Sequence, residues 1–315
     1  MNLLELKSSN QKQLFSYKNT FLDIVNLYNQ KKLPNKILFS GPKGIGKATF
    51  AYHLINYIFS KDEESNYDID NLQINDSNKS FKLVLNQTHP NFHLIDLLDE
   101  KKIIEISQIR NMINYANKSA FNNKERIVLI DNAENLNLSS SNALLKIIEE
   151  PNENVFFILI FDNNRKIIET IKSRCLKFNL FLTFDECLDT TNKIIGNNIY
   201  QIVNKDLINH YSTVGDLVNL VNFSSSSKMS LLELNLKDFL INLIDEKYYK
   251  KNIYIKKNIY KYIEYYLLKL MYLNKSKKKI NSLYRNFINK IYNLQKFNLD
   301  EESFFIEFNK IIFND

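Results

Sequence analysis

The stretch that decides the fold is Lys36-Ile-Leu-Phe-Ser40-Gly41-Pro-Lys43-Gly44-Ile-Gly46-Lys47-Ala48. An apolar run ends in a glycine-rich turn, and the turn opens onto a helical pattern that starts at Lys47. Strand, glycine turn and helix form the setting in which G-x-x-x-x-G-K cradles a phosphate. Glycines let successive backbone N–H groups converge on phosphate oxygens, and the helix N-terminus adds its positive end. Lys47 supplies a point charge for the terminal phosphates. Gly41, Lys43, Gly44, Gly46 and Lys47 are therefore candidate nucleotide-binding residues. The next position, where a Ser or Thr hydroxyl would hold magnesium, is Ala48. Thr49 stays in the candidate set, although a helical step of about 100° turns its hydroxyl away from that position.

Outward from this loop, short apolar runs at 92–96, 126–131, 155–161 and 176–178 alternate with helical patterns at 47–59, 106–116, 140–149 and 164–171. Continuous apolar strands alternating with helices predict a parallel sheet covered on both faces. The run 126–131 ends in Asp131, which joins the candidate site because a carboxylate there would stand in a magnesium shell beside the loop. Hydrolysis also needs a base or a water-positioning group. The residue after Asp131 is Asn132, and Glu134 could serve only through an unusual turn. Residues 61–86, rich in Asp, Asn and Ser, read as a surface insertion or flexible loop. Past 181 the strand signals fade: 182–222 reads as short helices, 224–227 as a linker or helix start, and 231–313 as helical almost throughout. Lys and Tyr crowd 247–290, which suits either a single-stranded nucleic-acid surface or helices with Tyr inward and Lys in water.

At 315 residues the chain has room for two or three domains. Its net charge of +7 fits an anionic partner or an AT-rich codon bias equally. The two cysteines, Cys175 and Cys187, are too few for a disulfide framework or a four-thiolate zinc site. No apolar run approaches the roughly 18 residues of a membrane span. The first residues lack a basic start and apolar stretch, so no secretory signal is expected and the cytoplasm is the default.

The segment Asn142-Ala-Leu-Leu-Lys146-Ile-Ile-Glu149-Glu150-Pro151, then an apolar run, then Ser173-Arg174-Cys175, resembles the clamp-loader ATPases of the AAA+ class. Leu33-Pro34, the phosphate loop and His89-Pro90 add to that resemblance, which is nearest to the delta-prime type over about residues 10–180. The resemblance implies an α/β P-loop AAA+ parallel-sheet domain at 1–180, a small helical lid at 181–228 and an all-α collar at 229–315. It implies a hetero-oligomeric subunit that helps to load a sliding clamp on primed DNA. The partners would be other loader subunits of the tau/gamma and delta types, with the clamp and primer-template DNA reached through the complex, and no membrane. It also implies that Arg174 acts in trans, reaching ATP held by a neighbour. In Ser212-Thr-Val-Gly215-Asp216, Gly215 stands where family members carry a sensor arginine. With Ala48 and Asn132, this predicts a chain whose own hydrolysis is absent or weak. ATP is the cofactor it would hold, with binding left open and the magnesium site degraded. No zinc is expected, because no cysteine precedes Cys175. The alternatives are an active tau/gamma-type ATPase, which would carry a longer C-terminal extension, or a nucleic-acid binding protein using the Lys/Tyr-rich helices.

Overall fold

The computed structural model describes residues 7–98, 101–117, 124–150, 154–273, 277–297 and 299–313. Residues 1–6, read for a signal, and Pro151 of the signature lie outside the described residues. The described chain gathers into two compact units: residues 1–193 with Thr213–Gly215, and Ile194–Ser212 with Asp216–Asp315.

The first unit is built on a parallel five-stranded sheet of order β2-β3-β4-β1-β5. Its strands are β1 (Lys36–Gly41), β2 (Phe92–Ile95), β3 (Arg126–Ile130), β4 (Val155–Asp162) and β5 (Leu176–Asn179). The helices are α1 (Lys18–Asn29), α2 (Lys47–Ser60), α3 (Lys79–Leu85), α4 (Ile106–Asn117), α5 (Leu138–Glu149), α6 (Glu169–Lys172) and α7 (Phe184–Ile195). Strand side chains alternate strictly between two cores. Ile37, Phe39, Ile127, Leu129, Ile158 and Ile160 pack with α1, α2 and α3. Leu38, Val128, Ile130, Phe157, Leu159 and Phe161 pack with α4, α5 and α6. Both faces are covered, which is why the strands read as unbroken apolar runs. Each fully buried Leu, Ile or Phe contributes roughly 1.5–3 kcal/mol.

Three expectations are corrected. Residues 61–86 are not a loose insertion: Tyr67, Leu72, Ile74, Phe81 and Val84 are buried in the first core. The polar residues between them hold turns and helix ends. Asn78 caps α3 through the Phe81 N–H (2.6 Å), and Glu63 accepts the N–H groups of Lys79 and Ser80 (2.9 and 3.0 Å). The helix expected at 164–171 is only α6, because Asp162 captures the Asn164 N–H (3.0 Å) and holds the start of that segment as a turn. The serine run is neither linker nor helix start but the end of α8 (Val214–Ser227), where Ser225 and Ser227 donate to the carbonyls of Val221 and Phe223 (3.2 and 2.7 Å). Such back-bonding lets serine hydroxyls lie in a helix.

The second unit is helical: most of α8, then α9 (Leu236–Asp245), α10 (Tyr248–Lys251), α11 (Ile253–Leu273), α12 (Lys277–Phe297) and α13 (Glu301–Ile312). Its core joins Phe239, Leu243, Ile259, Ile263, Phe287, Phe304, Phe305 and Phe308, all buried. Tyr249, Tyr260 and Tyr266 are also buried, and Lys247 and Lys250 both pair with Glu302. The tyrosines of the Lys/Tyr stretch thus largely serve packing, the second of its two readings. No described helix is long and apolar enough to cross a membrane.

One buried group of the first unit gives the fold a pH signature. His53 donates from Nε2 to the Gln11 carbonyl (3.1 Å) and accepts the Tyr67 hydroxyl at Nδ1 (2.8 Å). Burial holds it neutral, down to about pKa 4. The unfolded chain takes up the proton first, so this stability is complete above about pH 6.5 and is lost as pH falls towards 4. Denaturant titrations should show about 2 kcal/mol less stability at pH 5 than at pH 8 from this group. His53→Gln should flatten that part of the slope.

Candidate functional site

The parallel strands all end on one edge, and the candidate residues collect there. Gly41 is the last residue of β1 and pairs in register with Asp162, the last residue of β4. Asp96 and Asp131 follow β2 and β3 directly. The loop from Gly41 turns into α2 with Gly46 as its N-cap residue. The Tyr17 hydroxyl donates to the Ile45 carbonyl (2.8 Å) and braces the loop from behind. Lys43 and Gly44 are exposed, whereas Lys47 is buried.

The Lys47 ammonium donates to the carbonyls of Gly41 (2.8 Å) and Pro42 (2.6 Å). An ammonium has three N–H donors, so one remains for a phosphate oxygen. Burial lowers the Lys47 pKa; Asp162, Asp131 and Glu134 oppose that shift, and Lys43 adds to it. The loop backbone, the start of α2 and Lys47 fit a phosphate. Magnesium fits less well beside Lys47, where Ala48 offers no oxygen and Thr49 lies half-buried one residue on.

The Asp131 carboxyl holds its proton more tightly than an ordinary carboxylate. Burial first, and the Asp96 carboxylate second, push its carboxyl up to about 6, against the Asn132 N–H and Lys47. Asn132 is left-handed (φ 54°). It donates its backbone N–H to Asp131 Oδ1 (2.8 Å) and its side-chain amide to Asp96 Oδ1 (2.6 Å). A carboxylate at 132 would oppose Asp96 with like charge where the amide donates. The left-handed residue and the 3-10 turn Ala133–Asn135 make the unusual turn that Glu134 required. Glu134 does return towards the site, but Oε2 accepts the Asp162 N–H (3.1 Å). Asp96 was missed as a site residue, although 92–96 carries the same signal as 126–131: an apolar strand ending in an acid.

Gly44 and Gly215 meet backbone to backbone. The Gly215 N–H donates to the Gly44 carbonyl (2.7 Å). Gly44 adopts φ +87°, and a Cβ on it would lie 2.5 Å from Thr213 Oγ1. A Cβ on Gly215 would lie 2.9 Å from Gly44 Cα. Gly215 sits in the first turn of α8, where glycine costs up to about 1 kcal/mol relative to alanine. Close approach to the loop explains its presence there.

Arg174 stands apart from these groups. It follows α6, with its side chain 37% exposed. Nη1 donates to the Thr170 carbonyl (3.1 Å), and Nη2 pairs with Glu149 Oε1 (2.8 Å). The two halves of the sequence signature, 142–150 and 173–175, therefore meet through this ion pair. Ser173 donates its hydroxyl to the same Thr170 carbonyl (3.1 Å). Cys175 packs against the second core, and burial pushes its thiol up to about 11, so it anchors the turn rather than reacting.

The raised Asp131 pKa carries a sign. Its carboxyl is more readily protonated in the folded state, so its stability contribution is complete below about pH 4 and is lost as pH rises through 6. Asp131→Asn should raise stability by about 3 kcal/mol at pH 7.5 and by only about 0.5 kcal/mol at pH 4, read by denaturant titration.

The family model described as "DNA polymerase III, delta subunit" matches residues 17–182, more than half of the chain. The DNA polymerase III subunit delta' of Pseudomonas aeruginosa is 29% identical over 140 residues, covering 44% of this chain and 41% of that protein. The delta' subunit of Buchnera aphidicola subsp. Baizongia pistaciae is 28% identical over 235 residues, covering 71% and 66%. The gamma/tau subunit of Mycoplasma genitalium is 30% identical over 231 residues, covering 70% and 37%. The chain spans about half the length of the first relatives that it matches. The matched region holds the phosphate loop, Asp131 and Arg174 within one parallel sheet unit, and the chain belongs to the DNA polymerase III delta subunit family.

Proposed function

We propose that this chain is a clamp-loader subunit that helps to place a sliding clamp on primed DNA and supplies Arg174 to ATP bound by a neighbouring subunit. The observation that carries the reading is the contrast between two places. The chain's own loop lacks a magnesium hydroxyl at Ala48, a base at Asn132 and an arginine at Gly215. Arg174 is half-exposed and already held by two anchors on its guanidinium. A guanidinium aimed at a transferring phosphoryl group stabilises the charge that develops on its oxygens. The loop is then a fold element and a passive nucleotide seat that keeps Lys47 for phosphate. The partners under this reading are loader subunits of the tau/gamma and delta types, with clamp and primer-template DNA engaged through the assembly. The division into a sheet domain (1–180), a lid (181–228) and a collar (229–315) belongs to the same proposal.

In a reconstituted loader, Arg174→Ala should lower ATP turnover by on the order of 10³-fold, measured as phosphate release. Wild-type turnover would remove the assignment. The purified chain should show no magnesium-dependent turnover above background, and Lys47→Ala should leave that background unchanged. Turnover that Lys47→Ala abolishes would instead make the chain an active motor of the gamma/tau kind.

A further inference from the structure

We propose that Glu149 is a positioning residue that holds the Arg174 guanidinium ready for the neighbour's phosphate; this rests on the reading of Arg174 given above. The placement of Glu149 is otherwise unfavourable. It is the last residue of α5, and Glu150 follows it at the C-cap. Acids at a helix C-terminus oppose the helix dipole by about 0.3–1 kcal/mol each. The Arg174–Glu149 pair is partly exposed, with side chains 37% and 48% accessible. Such pairs return about 0–1 kcal/mol, so stability alone gives little reason for an acid here.

Orientation gives a better one. A free arginine side chain carries about 2 kcal/mol of rotamer entropy, which must be lost when it binds an oxyanion. Glu149 Oε1 fixes Nη2, and the Thr170 carbonyl fixes Nη1. The two contacts engage two of the five guanidinium N–H donors and leave three for an oxyanion. The two anchors also share a foundation. Leu144 and Ile148 of α5 and Ile171 of α6 are fully buried in the same core, with Cys175 packed against it. The guanidinium is thus tied to rigid elements on two sides, the arrangement that keeps a reacting group in its productive geometry.

The test uses the reconstituted loader with ATP. Glu149→Gln keeps the side-chain size and removes the charge. It should lower kcat about tenfold with little change in KM for ATP, while the melting temperature of the isolated chain stays close to wild type. Glu149→Asp, which keeps the charge, should recover part of the loss. The double variant Arg174→Ala/Glu149→Gln should be no slower than Arg174→Ala alone. If Glu149→Gln turns over at or above the wild-type rate while Arg174→Ala is slow, positioning is overturned and the role of Arg174 stands. Additive losses, or a marked fall in melting temperature, would make Glu149 a general stabilising residue and overturn the proposal. If Arg174→Ala is itself wild type, the reading of Arg174 falls and the proposal falls with it.

Discussion

The pairing of β1 between β4 and β5 is the constraint on which the rest of the first unit depends. It sets Gly41 level with Asp162 and delivers the phosphate loop to the edge where β2 and β3 release Asp96 and Asp131. The side-chain period of a strand is two, so a one-residue slip would exchange the two cores face for face. Phe39 would leave the company of Phe50, and Leu38 would leave that of Leu159. Register, core and site are therefore fixed by the same hydrogen bonds. The connections leaving the neighbours β1 and β4 run in opposite directions across the sheet, to β2 and to β5, and open α/β sheets form their ligand crevice at such a place.

What collects at that crevice is electrostatically costly. Burial drives Lys47 and Asp131 towards their neutral forms, while their mutual attraction resists both shifts. The neighbouring acids are managed by donors: the Asn132 amide and Leu97 N–H serve Asp96, and the Asp162 N–H serves Glu134. Asn132 therefore has a positive role in the folded chain. It links the ends of β2 and β3 with a donor where an acid would add one more like charge.

Strands, their ends and the phosphate loop were legible in the sequence because burial on both faces writes an unbroken apolar run, and a glycine turn before a helix has few other uses. All five strand runs coincide with observed strands to within a residue. Residues 61–86 were opaque for the converse reason. Their apolar residues are irregularly spaced, and polar residues such as Glu63 and Asn78 act through local hydrogen bonds that have no period. The serine run misled because hydroxyls can bond back to the preceding turn. At the site, Arg174 was found through its motif. Its pairing with Glu149 spans separate elements and only the fold brings them together. Asp96 closes an apolar run just as Asp131 does, and only the fold brings the two carboxyls close enough to act on each other.

The meeting of Gly44 and Gly215 ties the phosphate loop to the backbone at 213–215. Any side chain at 215 would place its first carbon 2.9 Å from the Gly44 Cα, inside the reach of real carbon contacts. The Gly215 N–H to Gly44 carbonyl bond, at 2.7 Å, would have to lengthen or break to admit it. The tolerance of this joint is set by two hydrogen atoms: add one carbon at Gly215 and the two backbones must part, add one at Gly44 and the Thr213 hydroxyl must move.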